Sequence, residues 1–421
     1  MEITEFNPWW ETGAIDKEIS SLKRRELFKE LKKNLQKRQM DVIIGLRRVG
    51  KTVMMHHLIE HLLTSGVKPE EILYFSFDVE KREIDRIIKE YEEKVLKERI
   101  RNKRVYLFFD EVQKLEDWEN KVKVLYDLNP KAKIILSGSS SLNLMKQGRE
   151  SLAGRARFHH LNPLSFREFL ILKDEKVPEE ERFYIHRKRL ELLINQFIPR
   201  GFPETIEMKE KEIDEYVKEL VVERIIYRDI PESFRVEDVE IVKVLADYIF
   251  ENPGVILNID ALSKDLGRHK KTVRNALNYL EISFLIKRVS NLRGSFLAAS
   301  RKNRKAYPLH SSLVMSKDED RILEALVRSE IEARYYWRKD KKEVDFILKD
   351  NEKIVPVEVK NKERIDRRDI GPLLKFSSLF GIDRGYIVYR GDEEEILHMD
   401  NNRVKVVPLT RFLLFEKNKL K

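Results

Sequence analysis

The sequence has no cysteine, which excludes disulfides and thiolate metal sites and leaves oxygen or histidine ligands for any metal. No apolar run approaches the roughly 18 residues of a membrane span, and residues 1–10 lack a signal-peptide pattern, so the chain is expected in the cytoplasm, without membrane contact. Acidic charge is not in excess either. Lys and Arg total 83 against 73 Asp and Glu, a net +10, and a positive balance favours a polyanionic partner. What the chain does have is charge of both signs, 37% of residues; abundant Lys and Glu without Cys is a hyperthermophile's composition. At 421 residues it exceeds one ordinary core, and at about 100–200 residues per domain it should fold as two or three.

The organising stretch is residues 45–52, GLRRVGKT, preceded by the apolar run Val42-Ile43-Ile44 and followed by Val53-Met54-Met55-His56-His57. A strand, a glycine-bearing loop and a helix start, in that order, make a phosphate-binding loop. Gly45, Leu46, Arg47, Arg48, Val49, Gly50, Lys51, Thr52 and Val53 form the expected nucleotide cradle. The glycines let successive N–H groups turn toward a polyphosphate, Lys51 reaches the β/γ-phosphates, and the Thr52 hydroxyl is placed to ligate Mg²⁺. The expected cofactors are therefore ATP and Mg²⁺.

Downstream, residues 72–77 read as a buried strand. Residues 105–111, VYLFFDE, read as an apolar strand ending in two carboxylates. Asp110 would hold Mg²⁺ through its water shell, and Glu111 would polarise the attacking water. A third strand at 132–138 ends in Ser137-Gly138-Ser139-Ser140. There Ser137 or Ser139 is placed to sense the γ-phosphate, and a serine-rich turn capping a helix from about Leu142 is compatible with that role. These segments predict a parallel α/β sheet with ligands at the carboxyl ends of its strands. Ahead of it, Asn7-Pro8-Trp9-Trp10 reads either as a hydrophobic clasp or as a wall beside the adenine. Residues 16–36 read as one amphipathic helix, with Ile19, Leu22, Leu27, Leu31 and Leu35 along its apolar side.

GLRRVGKT, LFFDEVQ, ILSGSSS, Ser151-Leu152-Ala153-Gly154-Arg155 and Leu161-Asn162-Pro163-Leu164-Ser165-Phe166-Arg167-Glu168-Phe169 together resemble the archaeal and bacterial AAA+ ATPases that carry a PLSFxEF segment. The NPWW stretch is similar to archaeal members. The resemblance covers roughly the first half of the chain. It implies an ATPase core at 1–170, a helical lid at 171–250, and arginines acting on the γ-phosphate, with Arg155 the first candidate and Arg157 the second.

The rest of the chain changes character. Residues 258–290 read as a winged helix-turn-helix within a domain at 251–308: a helix at 259–266, a second at 268–280, then a hairpin of 284–289 with 296–299. Arg268, His269, Lys270, Lys271 and Arg274 on the second helix, with Lys287 and Arg288 on the following strand, suit DNA phosphates, and Thr272 and Asn275 are placed to reach base edges. Further cations recur at Arg301, Lys302, Arg304 and Lys305. A protein-contact role for the same module stays open. The segment 309–421 brings Glu343 and Asp345 onto one strand and Glu358 and Lys360 onto the next. It resembles the restriction-endonuclease-like fold with its D…ExK signature, here Asp345, Glu358 and Lys360, with Glu324 as a helix-borne acid, a second candidate metal site.

The expected fold class is thus α/β: a P-loop AAA+ parallel-sheet core with a helical lid, a winged helix-turn-helix and a C-terminal α/β nuclease-like domain. The expected function is that of a DNA-binding ATPase stimulated by branched or other structured DNA, binding ATP and ADP and open to homo-oligomerisation. An ATP-gated, metal-dependent nuclease and a nucleotide-controlled switch with a protein partner are the alternatives.

Overall fold

The computed structural model describes residues 2–138, 152–292, 304–340, 342–350, 353–399 and 402–420, in two compact units, Met1–Pro163 and Leu164–Lys421. The expected boundaries at 171, 251 and 309 all fall inside the second.

The apolar runs of the first unit form a sheet of strands β1 (Met40–Ile44), β2 (Ile72–Ser76), β3 (Tyr106–Asp110), β4 (Lys133–Gly138) and β5 (Ala156–His160), in the order β2-β3-β4-β1-β5. All its pairings are parallel. Every residue of β1 to β4 is buried, which explains why these strands read as unbroken hydrophobic stretches rather than alternating ones. Helices α1 (Phe28–Asn34), α2 (Lys51–Thr64), α3 (Ile84–Tyr91) and α4 (Trp118–Leu128) accompany them. The expected parallel α/β core is present.

The single helix expected over 16–36 is instead a short helix at Lys17–Ser21 and then α1. Leu22 turns to extended backbone (φ −69°, ψ 142°) and is half-exposed. Arg25 accounts for the break. It is buried, and its guanidinium donates to the carbonyls of Val49 (2.7 Å) and Asn162 (2.8 Å), a position that a residue on a continuing helix face would not reach. The apolar periodicity registered the leucines but not this cation.

Strand β2 lies at the sheet edge, and the N-terminal segment covers it. The Asn7 side chain accepts from Tyr74 N (2.7 Å) and donates to Tyr74 O (2.9 Å), mimicking a neighbouring strand. Both indole N–H groups, of Trp9 (3.2 Å) and Trp10 (2.8 Å), donate to Ile72 O. Trp9 is buried, and Trp10 stacks on Tyr91 at 5.8 Å. The two tryptophans are a clasp. They satisfy an edge that would otherwise present unpaired backbone.

At the start of the sheet's central strands sits a buried polar cluster. The Asp41 carboxylate meets Lys133 Nζ (2.5 Å), His159 Nε2 (2.7 Å) and Asn34 Nδ2 (3.2 Å), and His159 Nδ1 lies 3.2 Å from Glu30. Burial pushes the Asp41 carboxyl up, but the His159 hydrogen bond and the Lys133 ammonium outweigh it and hold the group below the ordinary carboxylate value.

In the second unit the sequence Leu164-Ser165-Phe166 begins α5 (Phe166–Leu172). Ser165 and Glu168 form a capping box, the Ser165 hydroxyl accepting from Glu168 N (3.2 Å) and the Glu168 carboxylate accepting from Ser165 N (3.2 Å). Phe166 and Phe169 are thereby fixed in a core with Phe197, Tyr307, Leu323, Phe346 and Phe412. The PLSFxEF stretch is thus a helix start with two buried aromatics. Helices α6 (Phe183–Phe197), α7 (Val239–Glu251), α8 (Ile259–Asp265), α9 (Lys270–Ile282), α10 (Glu319–Ile331) and α11 (Arg367–Phe380) follow.

The strands of this unit are β6 (Val255–Ile256), β7 (Ile286–Asn291), β8 (Lys305–Pro308), β9 (Tyr335–Lys339), β10 (Lys342–Asp350), β11 (Lys353–Lys360), β12 (Arg384–Tyr389), β13 (Glu395–Met399) and β14 (Asn402–Pro408). They form one mixed sheet in the order β13-β14-β12-β11-β10-β9-β7-β8-β6. β7 pairs with β8 in antiparallel register and with β9 in parallel register. The Asn291 amide reinforces the second pairing by bonding both Arg338 O and Arg338 N at 3.1 Å. Residues 296–299, the expected second arm of the hairpin, lie outside the described residues, as do Arg301 and Lys302.

Asp41→Ala leaves the Lys133 ammonium buried without its carboxylate. It should lower unfolding stability by about 3–5 kcal/mol, measured by denaturant titration against the parent chain.

Candidate functional site

β1 delivers the chain to the loop at 45–52, and β3 and β4 end beside it. Gly45 is required sterically, because a Cβ there would stand 2.2 Å from Leu161 O. Gly50 takes φ 94° and caps α2, a left-handed turn that glycine adopts without strain. Leu46 and Val49 are buried and anchor the loop, whereas Arg47 and Arg48 are partly buried at its crest, Arg48 at φ 64°. Lys51 opens α2 and is buried. Its ammonium lies 3.0 Å from Leu46 O, 3.3 Å from Gly45 O and 3.7 Å from the Glu111 carboxylate.

Asp110 is the centre of the arrangement. Its Oδ2 accepts from Thr52 Oγ1 (2.6 Å) and Tyr74 OH (2.9 Å), and its Oδ1 accepts from Ser137 Oγ and from Glu111 N (3.1 Å). Ser137 Oγ also accepts from Glu111 N (3.2 Å). Glu111 sits at φ 52°, and its Oε2 accepts from Gln113 Nε2 at 2.5 Å. The structure therefore brings Lys51, Thr52, Asp110, Glu111 and Ser137 together. Ser139 and the helix expected near 142 lie outside the described residues.

The residues fit a nucleoside triphosphate with Mg²⁺. The hydroxyl and carboxylate of Thr52 and Asp110 are hard oxygen donors of the kind Mg²⁺ takes. The start of the 14-residue α2 presents N–H groups and a helix dipole toward phosphate. Residues that sequence reasoning missed are Arg25, which braces the loop from behind through Val49 O, and Tyr74, which reaches Asp110. Neither belongs to a motif, and Arg25 looked like one charge among many.

Arg155 does not face the phosphate loop of its own chain. Its carbonyl accepts from Met40 N (2.9 Å), at the beginning of β1, whereas the loop follows the end of that strand. Its guanidinium binds Asp127 at 2.9 and 3.1 Å. Arg157 lies at the same end, 3.3 Å from Asn34 Oδ1. The direction of the parallel strands thus puts both arginines at the end of the sheet away from the loop.

In the second unit, Glu324, Asp345, Glu358 and Lys360 lie close together, with Glu358 Oε2 accepting from Asp345 N at 3.3 Å. Among the described residues no group of three or more His, Cys, Asp or Glu side chains is arranged to hold a metal ion. Among these acids stands Lys305, a residue that the charge pattern had placed with the exposed cations. It is buried, binds Glu324 (3.1 Å) and Glu343, and lies with Tyr307, which donates to Glu324. Burial alone would lower its ammonium, but Tyr307, Glu324, Asp345 and Glu343 drive it well above the ordinary lysine value. Glu358 Oε1 holds Lys360 at 2.6 Å, and Asp345 accepts from Val359 N at 2.9 Å. Burial and the neighbouring Glu358 and Glu324 charges push the Asp345 carboxyl well up. The cluster is internally neutralised.

The cations expected to meet DNA divide into two groups. Arg268 binds Asp238 (2.8 Å), Lys270 binds Asp260 (2.5 Å), and Arg288 binds Glu281 (2.6 Å) and Asn278 (2.8 Å). Lys287 is 3.9 Å from Glu281, and burial pulls its ammonium down. His269 caps α9 by accepting from Lys271 N (3.2 Å). Lys271 and Arg274 are exposed on that helix, and Thr272 and Asn275 are partly buried. No helix of the described residues is long and apolar enough to cross a membrane.

Residues 37–170 match a family described as "AAA domain". Residues 191–319 and 319–412 match two domains of unknown function, DUF8612 and DUF4143. The chain is similar to "Uncharacterized protein MJ1544" of Methanocaldococcus jannaschii, with 27% identity over 93% of this chain and 92% of the relative. It is also similar to an "Uncharacterized protein" of Haemophilus influenzae, with 25% identity over 76% and 81%. Among solved structures, one of the Aeropyrum pernix ORC1 protein in complex with DNA overlays 72% of this chain and 91% of its own, at 12% identity and a TM-score of 0.30. A likeness at that score carries no argument. The AAA match spans the phosphate loop and strands β1 to β5 of the first unit.

Gly45→Ala should abolish nucleotide binding, because the loop must move away from Leu161 O; titration with a fluorescent ATP analogue checks this. Lys305→Met removes the ammonium shared by Glu324 and Glu343, leaving them Tyr307 and Arg338, and should destabilise the chain by about 1–3 kcal/mol, read as a lowered denaturation midpoint.

Proposed function

We propose that this protein is a DNA-binding ATPase whose ATP turnover is stimulated by DNA, with branched or otherwise structured DNA as its ligand. The observation that carries the ATPase reading is the convergence of Lys51, Thr52, Glu111 and Ser137 on Asp110. On nucleotide binding, Lys51 exchanges the Leu46 and Gly45 carbonyls for phosphate oxygens and so counters the charge of the transferred group. Thr52 and Asp110 would hold Mg²⁺, which neutralises charge on the phosphates when bound. Glu111, next to Lys51 and steadied by Gln113, orients the attacking water and accepts its proton. Ser137 fixes the Asp110 carboxylate and the Glu111 backbone together, so the water-orienting and metal-holding groups keep one geometry.

The DNA part of the reading rests on α8, α9, β7 and β8, whose order is that of a winged helix. The start of α9 offers Lys271 and Arg274 to solvent, with Lys270 beside them in an exposed ion pair. Such cations suit phosphate contacts, which position a duplex and make binding depend on salt. Residues 171–250 are read as the lid, and 309–421 as a nuclease-like domain that grips DNA. Cleavage is not the favoured activity, because Lys305 occupies the space between Glu324 and Glu343 with a cation of its own. Since Arg155 sits away from its own phosphate loop, any action of it on a γ-phosphate would require a neighbouring copy.

The test is ATP hydrolysis with linear, single-stranded and branched DNA, with Lys51→Ala as the blank. Branched DNA should stimulate most, and Lys51→Ala should remove all turnover. Turnover indifferent to every DNA would favour the switch that signals to a protein partner. The double variant Lys271→Glu, Arg274→Glu should weaken DNA binding and flatten the log–log salt slope by roughly two, measured by fluorescence anisotropy.

A further inference from the structure

The phosphate-loop motifs do not account for Tyr74. It lies in the middle of edge strand β2, buried, and nothing in the pattern of an ATPase site asks for a tyrosine there. Yet its hydroxyl donates to Asp110 Oδ2 at 2.9 Å, the oxygen that also receives Thr52 Oγ1 at 2.6 Å. Its ring packs against His56, with centroids 4.8 Å apart, and His56 Nδ1 lies 2.9 Å from Thr52 O in the first turn of α2. Tyr74 therefore touches both sides of the proposed metal-holding pair, the carboxylate directly and the Thr52 turn through His56.

The backbone of Tyr74 is in turn gripped from outside the sheet. The Asn7 amide bonds both its N–H and its C=O and is itself tied to Ile3 O (2.7 Å). Trp9 and Trp10 hold Ile72 O, two residues back on the same edge. Trp9 also meets His56 edge-on, with ring centroids 6.3 Å apart. The clasp therefore holds the backbone from which the Tyr74 hydroxyl reaches Asp110.

We propose that Tyr74 is a positioning residue of the ATPase site, and that the Asn7-Pro8-Trp9-Trp10 clasp sets the place of the Asp110 carboxylate through it. The proposal rests on the reading of this site as one for ATP and Mg²⁺. Tyr74→Phe keeps the ring, the core packing and the His56 contact, and removes one hydrogen bond to a charged oxygen. The loss of such a bond corresponds to about a tenfold effect on an equilibrium, and it should fall on the step in which Asp110 takes part.

The test compares the equilibrium affinity for a fluorescent ATP analogue with Mg²⁺ present and with the metal chelated, for the parent chain, Tyr74→Phe, Asn7→Leu and Lys51→Ala. Thermal unfolding of each is recorded alongside. Tyr74→Phe should leave the chelated affinity near that of the parent and reduce the Mg²⁺-dependent gain by about tenfold, with kcat falling more than KM rises. Asn7→Leu should reduce the same gain while its phosphate loop still binds metal-free nucleotide. An unchanged or increased gain in Tyr74→Phe would overturn the proposal, whatever Asn7→Leu does. Parent-chain affinity that survives Lys51→Ala would instead overturn the reading of the site itself, and the positioning role with it.

Discussion

The carboxylate of Asp110 is the constraint on which the first unit depends. It is buried at the end of β3 and receives hydrogen bonds from Thr52 on α2, Tyr74 on β2, Ser137 on β4 and the backbone of Glu111. A buried charge without such donors would be expelled or protonated. With them, it binds the ends of neighbouring strands to the helix that begins with Lys51. Order in the sheet and order in the site are therefore one property: a change that loosens either should appear in the other.

Elsewhere the protein uses charge to hold itself together. Asp41, Lys133 and His159 join β1, β4 and β5 at the end remote from the phosphate loop, and Lys305, Glu324 and Glu343 join β8, α10 and β10 in the second unit. Asp41, Lys133, His159 and Lys305 are buried, while Glu324 and Glu343 are partly exposed, and breaking a pair costs more the deeper it lies. The +10 net charge is therefore a poor guide to which cations are available to a polyanion. Of the basic residues near α9, Arg268 and Arg288 hold carboxylates, and Lys271 and Arg274 are exposed.

This distinction explains what was legible in the sequence. The parallel core was legible because strands buried on both faces are apolar throughout, and the loop was legible because Gly45, Gly50, Lys51 and Thr52 each answer a local steric or chemical need. Asp110, Glu111 and Ser137 were readable from strand ends for the same reason. What could not be read depended on contacts between residues distant in sequence. Arg25 breaks a helix because it reaches Val49 and Asn162; Lys305 turns inward because Glu324 and Glu343 wait there. Where Arg155 lies could not be read, because its spacing after β4 does not say at which end of the sheet its strand begins. A tyrosine in an apolar strand gave no sign that its hydroxyl would find Asp110.

The central claim is that this arrangement is built to hold ATP together with Mg²⁺ through Asp110. The most direct measurement is calorimetric titration of the parent chain and of Asp110→Asn with ATP, in Mg²⁺ and in chelator. The account predicts a marked gain in affinity with Mg²⁺ in the parent and its loss in Asp110→Asn, with metal-free binding retained. Equal affinity in both media, or a gain that survives in Asp110→Asn, would contradict it.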